Sequence, residues 1–146
     1  MGPDGPRRAA SRRGEERSAR QVIHLDTGFL ISALRRGSPE DRRLREWLIR
    51  GEALGISAVS WTEFLCGPVD VDDIELVARV VDEPVALLAV DAGIAAKLFN
   101  LAGRRRGSLN DCMIAAIALR VGASLATTNV TDFRRFQSAG VRITSG

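Results

Sequence analysis

Four acidic residues of this 146-residue chain stand where apolar runs end or begin: Asp26 directly after Val22-Ile23-His24-Leu25, then Glu63, Asp111, and Asp132 just past Leu125-Ala126-Thr127-Thr128-Asn129. Acids at the ends of strands and the starts of helices can be gathered in one cleft, where their oxygens hold divalent cations against a phosphodiester. Gathered carboxylates repel one another, so the arrangement is costly unless cations neutralise it. Oxygen-only ligands suit Mg²⁺ or Mn²⁺, whereas the single His24 and the distant Cys66 and Cys112 argue against a zinc site. The chemistry that fits is hydrolysis, in which a metal-bound water of lowered pKa attacks the phosphodiester and no covalent nucleophile is needed. Each acid taken singly also has a purely structural role open to it. Asp26 can cap a helix starting at Thr27, Glu63 can close a capping box with Ser60, and Asp111 and Asp132 can be first-turn acids favoured by the helix dipole.

The elements that must position these acids alternate between strand and helix from Gln21 onward. Val22 to Leu25 is a short β-type run, after which Phe29, Leu30 and Leu34 line one face of a helix ending near Gly37. Ser38-Pro39-Glu40 opens a second helix with Leu44, Trp47 and Leu48 as its apolar stripe and Gly51 as its stop. Leu54 to Val59 reads as a second strand, and Ser60 to Leu65 as a helix broken by Gly67-Pro68. Acids between Val69 and Glu75 open a helix reaching Val81, and the unbroken apolar run Val85 to Val90 is expected to be a strand covered on both faces. Asp91 caps a helix to about Gly103, a loop carries Arg104, Arg105 and Arg106, and Asn110 to Val121 is a strongly apolar helix. Ser124 to Thr128 reads as a strand, Asp132 to Ser138 as a short helix, and Val141-Arg142-Ile143 as a last strand. The fold class is therefore α/β, a central parallel sheet flanked by helices on both faces. Such sheets bind ligands beyond the carboxyl ends of their strands. Asp26 and Asp132 belong on that edge, and Glu63 and Asp111 lie at helix starts that can face it.

Length and composition bound the rest. The chain suffices for one domain with one core, and 45% apolar with 27% charged residues is a soluble, globular composition. No apolar run approaches the roughly 20 residues of a membrane helix, and the Arg-rich start lacks the apolar segment of a secretory signal, so a cytoplasmic protein is expected. Both cysteines are expected to be reduced, buried filler. Residues 1–20 hold six Arg against Asp4, Glu15 and Glu16, a surplus that equals the net charge of +3 of the whole chain. That segment has no large apolar residue after Met1 and is expected to be a disordered extension, leaving 21–146 as the folded domain. It reads either as an electrostatic tether to RNA or an acidic partner, or as a start upstream of the true domain.

The order Val-Ile-His-Leu-Asp26-Thr-Gly, Ser60-x-x-Glu63-x-x-x-Gly67, Asp111-x-x-Ile114-Ala115-Ala116-x-Ala118 with Gly122, and Leu125-Ala-Thr127-x-Asn129-x-x-Asp132-Phe133 resembles a PIN-domain nuclease. Within that family it is most similar to the VapC-type toxins of bacterial toxin-antitoxin pairs. The resemblance spans nearly everything from Val22 to Ile143. It implies that Asp26, Glu63, Asp111 and Asp132 are the metal-binding catalytic acids of an endoribonuclease, with Thr127 and Asn129 orienting a ligand or water beside the last acid. It also implies a homodimer and a VapB-type antitoxin that inserts a segment across the acidic cleft, with the helix carrying Leu44, Trp47 and Leu48 as candidate groove. Asn110 departs from the small residue or Pro common there, and is open as a helix N-cap or a substrate contact.

Other residues have two readings. Arg104 to Arg106 can grip phosphates at the cleft rim or simply end a helix as a solvated run. His24 is expected to be structural. Trp47 and Trp61 are expected to anchor the core or an interface, no second aromatic accompanying either on its element. A protein that keeps this fold and binds nucleic acid without cutting it is the main alternative. A phosphatase using Asp26 as nucleophile fits less well, because the position two residues later, where an acid is wanted, is Gly28.

Overall fold

The computed structural model describes residues 21–144, and the Arg-rich segment expected to be disordered lies outside the described residues. Three parallel strands form the sheet in the order β2-β1-β3: β1 Val22–Leu25, β2 Ala53–Gly55 and β3 Ser124–Ala126. His24 in the central strand pairs with Gly55 on one side and Leu125 on the other. Helices α1 Thr27–Ala33 and α2 Pro39–Arg50 link β1 to β2. Four more, α3 Ala58–Cys66, α4 Val71–Val80, α5 Ala89–Leu101 and α6 Leu109–Val121, precede β3, and α7 Val130–Arg134 follows it. Parallel pairing requires each chain segment to return before the next strand, so all three strands end on one edge.

Alternation along β1 divides the core in two. Ile23 and Leu25 join Phe29, Leu30, Trp47 and Phe64 in one cluster, whereas Val22 packs on the opposite one with Leu98, Ile114, Leu125 and Phe133. Helix α6 is buried from Ile114 to Ala118 without a break, which explains why that stretch carries no polar residue. Full burial of Ile114 and Ile117 contributes about 2 kcal/mol each. Their backbone thus holds Asp111, one turn upstream, at a fixed depth.

Several boundaries differ from the sequence reading, each for a local reason. The run Val85 to Val90 is not a covered strand. Val85 alone bridges to Ser57, while Leu87, Leu88 and Val90 are exposed, and the backbone N–H of Leu88 donates to Asp91 Oδ2 (2.8 Å) to open α5. β2 ends at Gly55 because Ser57 takes over as N-cap of α3, its hydroxyl accepting from Ser60 N (3.0 Å). The proposed Ser60–Glu63 box therefore does not form, and the buried Ser60 hydroxyl has no partner. The last strand shrinks to a bridge between Ile143 and Leu125. Cys112 is buried but Cys66 is exposed. Trp61 does share its helix with an aromatic, stacking on Phe64 at 5.6 Å, and Trp47 stacks on Phe29 at 5.5 Å.

Candidate active site

Asp26 leaves the end of the central strand and caps α1. Its Oδ1 accepts from Thr27 N (2.8 Å) and its Oδ2 from the Thr127 hydroxyl (2.9 Å), so the capping role and a role in the cleft coexist in one carboxylate. Thr127 follows β3 directly and in turn accepts from Asn129 N (2.9 Å), and Asn129 Nδ2 donates to Asp132 Oδ2 (2.7 Å). A hydrogen-bonded relay therefore ties the first acid to the last across 101 residues of chain between Asp26 and Thr127. The first turn of α1 also lies against this loop: a Cβ on Gly28 would sit 2.8 Å from the Thr128 hydroxyl.

Glu63 and Asp111 arrive from α3 and α6. Thr27 secures the approach of α3 by donating its hydroxyl to the Ser60 carbonyl (3.0 Å). Asn110, on the first turn of α6, hydrogen-bonds Glu63. It is thus neither the N-cap of α6, a position held by Ser108, nor free of the acids.

The electrostatics show that the four acids share one field. Partial burial pushes the Asp111 carboxyl up to about 6, and the charges of Asp26, Asp132 and Glu63 push it the same way. Burial raises Glu63 too, the Asp26 charge adds to that, and the bond from Asn110 opposes it. Burial raises Asp26 against the hydrogen bonds from Thr127 and Thr27. Among the described residues no basic side chain forms an ion pair with Asp26, Glu63 or Asp111. Repulsion without compensation is what an oxygen-donor cation site looks like before a cation neutralises it. Among the described residues, however, no three His, Cys, Asp or Glu side chains already converge on one metal-sized point. The carboxylate donors fit a hard divalent cation.

Family comparison agrees with this layout: the model of the PIN domain matches residues 23–138. The chain belongs to the PIN domain family. Comparison with individual curated sequences finds no significant match. Among solved structures, this PIN domain is similar to a chain of VapBC2 from Rickettsia felis bound to a promoter DNA fragment, with 19% identity, a TM-score of 0.69, and 85% of this chain and 98% of that one covered. It is similar to VapBC-1 from nontypeable Haemophilus influenzae at 22% identity and TM-score 0.66, over 86% and 98% of the two chains. It is likewise similar to VapBC-5 from Mycobacterium tuberculosis at 25% identity and TM-score 0.57, over 84% and 98%.

Other residues singled out in the sequence fall into place around the PIN core. His24 is buried at the strand pairing, its ring within 2.9 Å of where a Cβ of Gly55 would stand, and is pushed down to about 4, first by burial and then by Arg120. It is structural and neutral. Arg104, Arg105 and Arg106 are exposed on the loop before α6, and Arg105 approaches Asp132 (3.9 Å). Arg135, which sequence reasoning passed over, lies closer to the same carboxylate (3.4 Å). Its spacing three residues after Asp132 on a helical turn was the available signal. Across the molecule, α1, α2 and α4 enclose an apolar groove of about 450 Å³ lined by Leu30, Leu34, Leu44, Leu48, Leu76 and Val80. Trp47 is buried in the core cluster that includes Leu30 and against which Leu34 and Leu44 pack.

Proposed function

We propose that this PIN domain is a metal-dependent endoribonuclease and the toxin component of a VapC-type toxin-antitoxin pair. The observation that carries the nuclease reading is the shared, uncompensated charge of Asp26, Glu63 and Asp111 at the carboxyl edge of the sheet. These three would hold Mg²⁺ or Mn²⁺, with Asp132 at the rim of the same cleft. When bound, the cation supplies a water of lowered pKa and stabilises charge on the phosphodiester oxygens. The protein's own work is positioning. Thr127 and the Thr27 N–H hold Asp26 in one rotamer, Asn110 steadies Glu63, and Asn129 orients Asp132. The exposed guanidiniums of Arg104 to Arg106 attract RNA to a cleft that would otherwise repel it.

The toxin reading rests on the likeness to VapBC complexes and on a surface suited to a protein partner. The groove between α1, α2 and α4 fits an apolar helix face of a VapB-type antitoxin, with Arg36, Arg45, Asp41 and Asp73 at its rim for register. The exposed Leu87, Leu88 and Val90 support a homodimer. No helix among the described residues is long and apolar enough to cross a membrane. A cytoplasmic site of action accords with an intracellular RNA target.

The test is RNA cleavage by purified protein freed of antitoxin, with Mg²⁺ or Mn²⁺ against EDTA, beside Asp26→Asn and Asp111→Asn. Cleavage that requires metal and is lost in both variants is the expected result. Equal RNA binding by all three proteins without any cleavage would give the reading to the alternative, a nucleic-acid-binding PIN domain.

A further inference from the structure

Asp132 differs from the other three acids in its company. Arg135 Nη2 (3.4 Å) and Arg105 Nη1 (3.9 Å) both approach its Oδ1, and Asn129 Nδ2 holds its Oδ2 at 2.7 Å. Both arginine contacts are longer than a well-formed charge-assisted bond, so the carboxylate steers the two guanidiniums without saturating them. Each guanidinium has five N–H donors in a planar fork, and most of these remain available. Arg105 and Arg135 also line one small cleft, about 130 Å³, together with Arg106, Ser108, Asp111 and Asp132. The cleft thus joins two cations directly to the acid with the strongest coupling to the other three.

Arg105 is presented by a built loop. Gly103 (φ 76°), Arg104 (φ 58°) and Gly107 (φ 86°) all adopt the left-handed conformation, which for Arg104 costs about 1 kcal/mol. The turn is held by Arg104 N donating to the Phe99 carbonyl (2.9 Å), and by Ser108 N (3.2 Å) and the Ser108 hydroxyl (2.7 Å) both donating to the Arg105 carbonyl. A backbone fixed on both sides of Arg105 confines where its side chain can reach.

We propose that Arg105 and Arg135 form a clamp for one backbone phosphate of the RNA substrate, and that Asp132 positions this clamp instead of serving as a further cation ligand. The inference rests on the nuclease reading and adds to it a fixed register between the strand and the acids. A phosphate in the cleft would replace the long contacts to Asp132 with short bonds to both guanidiniums and leave the scissile linkage over Asp26, Glu63 and Asp111.

The experiment measures binding of a fluorescein-labelled, mixed-sequence single-stranded RNA in EDTA over a salt series, and metal-dependent cleavage of the same RNA, for wild type, Arg105→Ala, Arg135→Ala, Arg135→Lys, Asp132→Asn and the distant Arg50→Ala. Thermal melts check that each variant folds. Arg105→Ala and Arg135→Ala are each expected to weaken binding roughly fivefold and to lower the salt slope, by at most the one phosphate contact they share. Arg135→Lys keeps the slope but raises KM, because a point charge replaces the fork. Asp132→Asn raises KM and leaves the half-saturating metal concentration within about twofold of wild type, and Arg50→Ala changes nothing. If wild type cuts RNA while both Ala variants keep its slope and KM, or if Asp132→Asn shifts the metal requirement tenfold with KM intact, the clamp is overturned and the nuclease stands. A wild type that neither binds nor cuts RNA overturns both.

Discussion

Two buried carboxylates in this protein receive opposite treatment. Asp91 is 0% exposed, yet it accepts from Leu88 N and from Arg120 Nε (2.8 Å each), and Arg120 donates onward to the Ala86 carbonyl (2.9 Å). Burial would raise its carboxyl, but Arg120 and the Leu88 N–H outweigh burial and hold it below the usual range. Burial raises Asp26, which is 8% exposed, receives only neutral donors among the described residues, and adds its charge to Glu63 and Asp111. The same residue type is thus neutralised where it joins α5 to α6 and left frustrated where the strands end. A fold that satisfies one buried acid so fully is not careless with the other. Repulsion gathered at the carboxyl edge of a parallel sheet, where such folds bind ligands, is the pattern of a functional site and accords with the proposed nuclease.

The strongest way to break this contrast is at the acids. Asp26→Asn and Asp111→Asn are expected to lower RNA cleavage about a hundredfold to a thousandfold in saturating Mn²⁺, while their melting temperatures stay level or rise as repulsion is relieved. A variant that lost stability instead would make Asp26 a structural acid like Asp91. Removing Asp91 should do the reverse. Asp91→Ala strands the Arg120 guanidinium and the Leu88 N–H, and chemical denaturation should show a loss of about 3 kcal/mol with kcat unaltered in whatever remains folded.

His24 offers a test by pH. The unfolded chain takes up a proton at this residue near 6.5 and the folded chain only near 4. Its contribution is therefore intact above pH 6.5 and is lost as pH falls between the two values, by about 2 kcal/mol at pH 5. Denaturant titrations of wild type against His24→Leu should diverge over that window, and parallel curves would mean the imidazole already finds a partner for its proton. The smallest effect contrasts two serines. Ser57→Ala should cost about 1 kcal/mol through the lost cap, whereas Ser60→Ala, which removes a buried hydroxyl with no partner, should cost nearly nothing or stabilise. Matching losses at both would restore the capping box expected at Ser60.

The elements that were legible from sequence are those with local causes. Ser38, Pro39 and Gly51 bound α2 as expected because capping and the left-handed stop at Gly51 act within a turn of the residues concerned. The Val85 to Val90 run misled because apolar continuity is shared by covered strands and by helix starts, and only the burial of Asp91 against Arg120, 29 residues away, decides between them. Arg135 was missed for a related reason, since its importance comes from what Asp132 and the loop of Arg105 place beside it.

The amino-acid order alone carries the placement of Asp26 and Asp132 just past strands, the parallel pairing that gives the strands one shared edge, and the PIN-type succession of Asp26, Glu63, Asp111 and Asp132. Periodicity, caps and spacing act over a few residues, and one chain carries them openly. Packing of the elements settled that Thr127 and Asn129 wire Asp26 to Asp132, that Asn110 serves Glu63, and that Asp132 is shared with two arginines while, among the described residues, no basic side chain pairs with the other acids. Those partnerships cross from one element to another, and the distances that create them exist only once the sheet and its helices have packed.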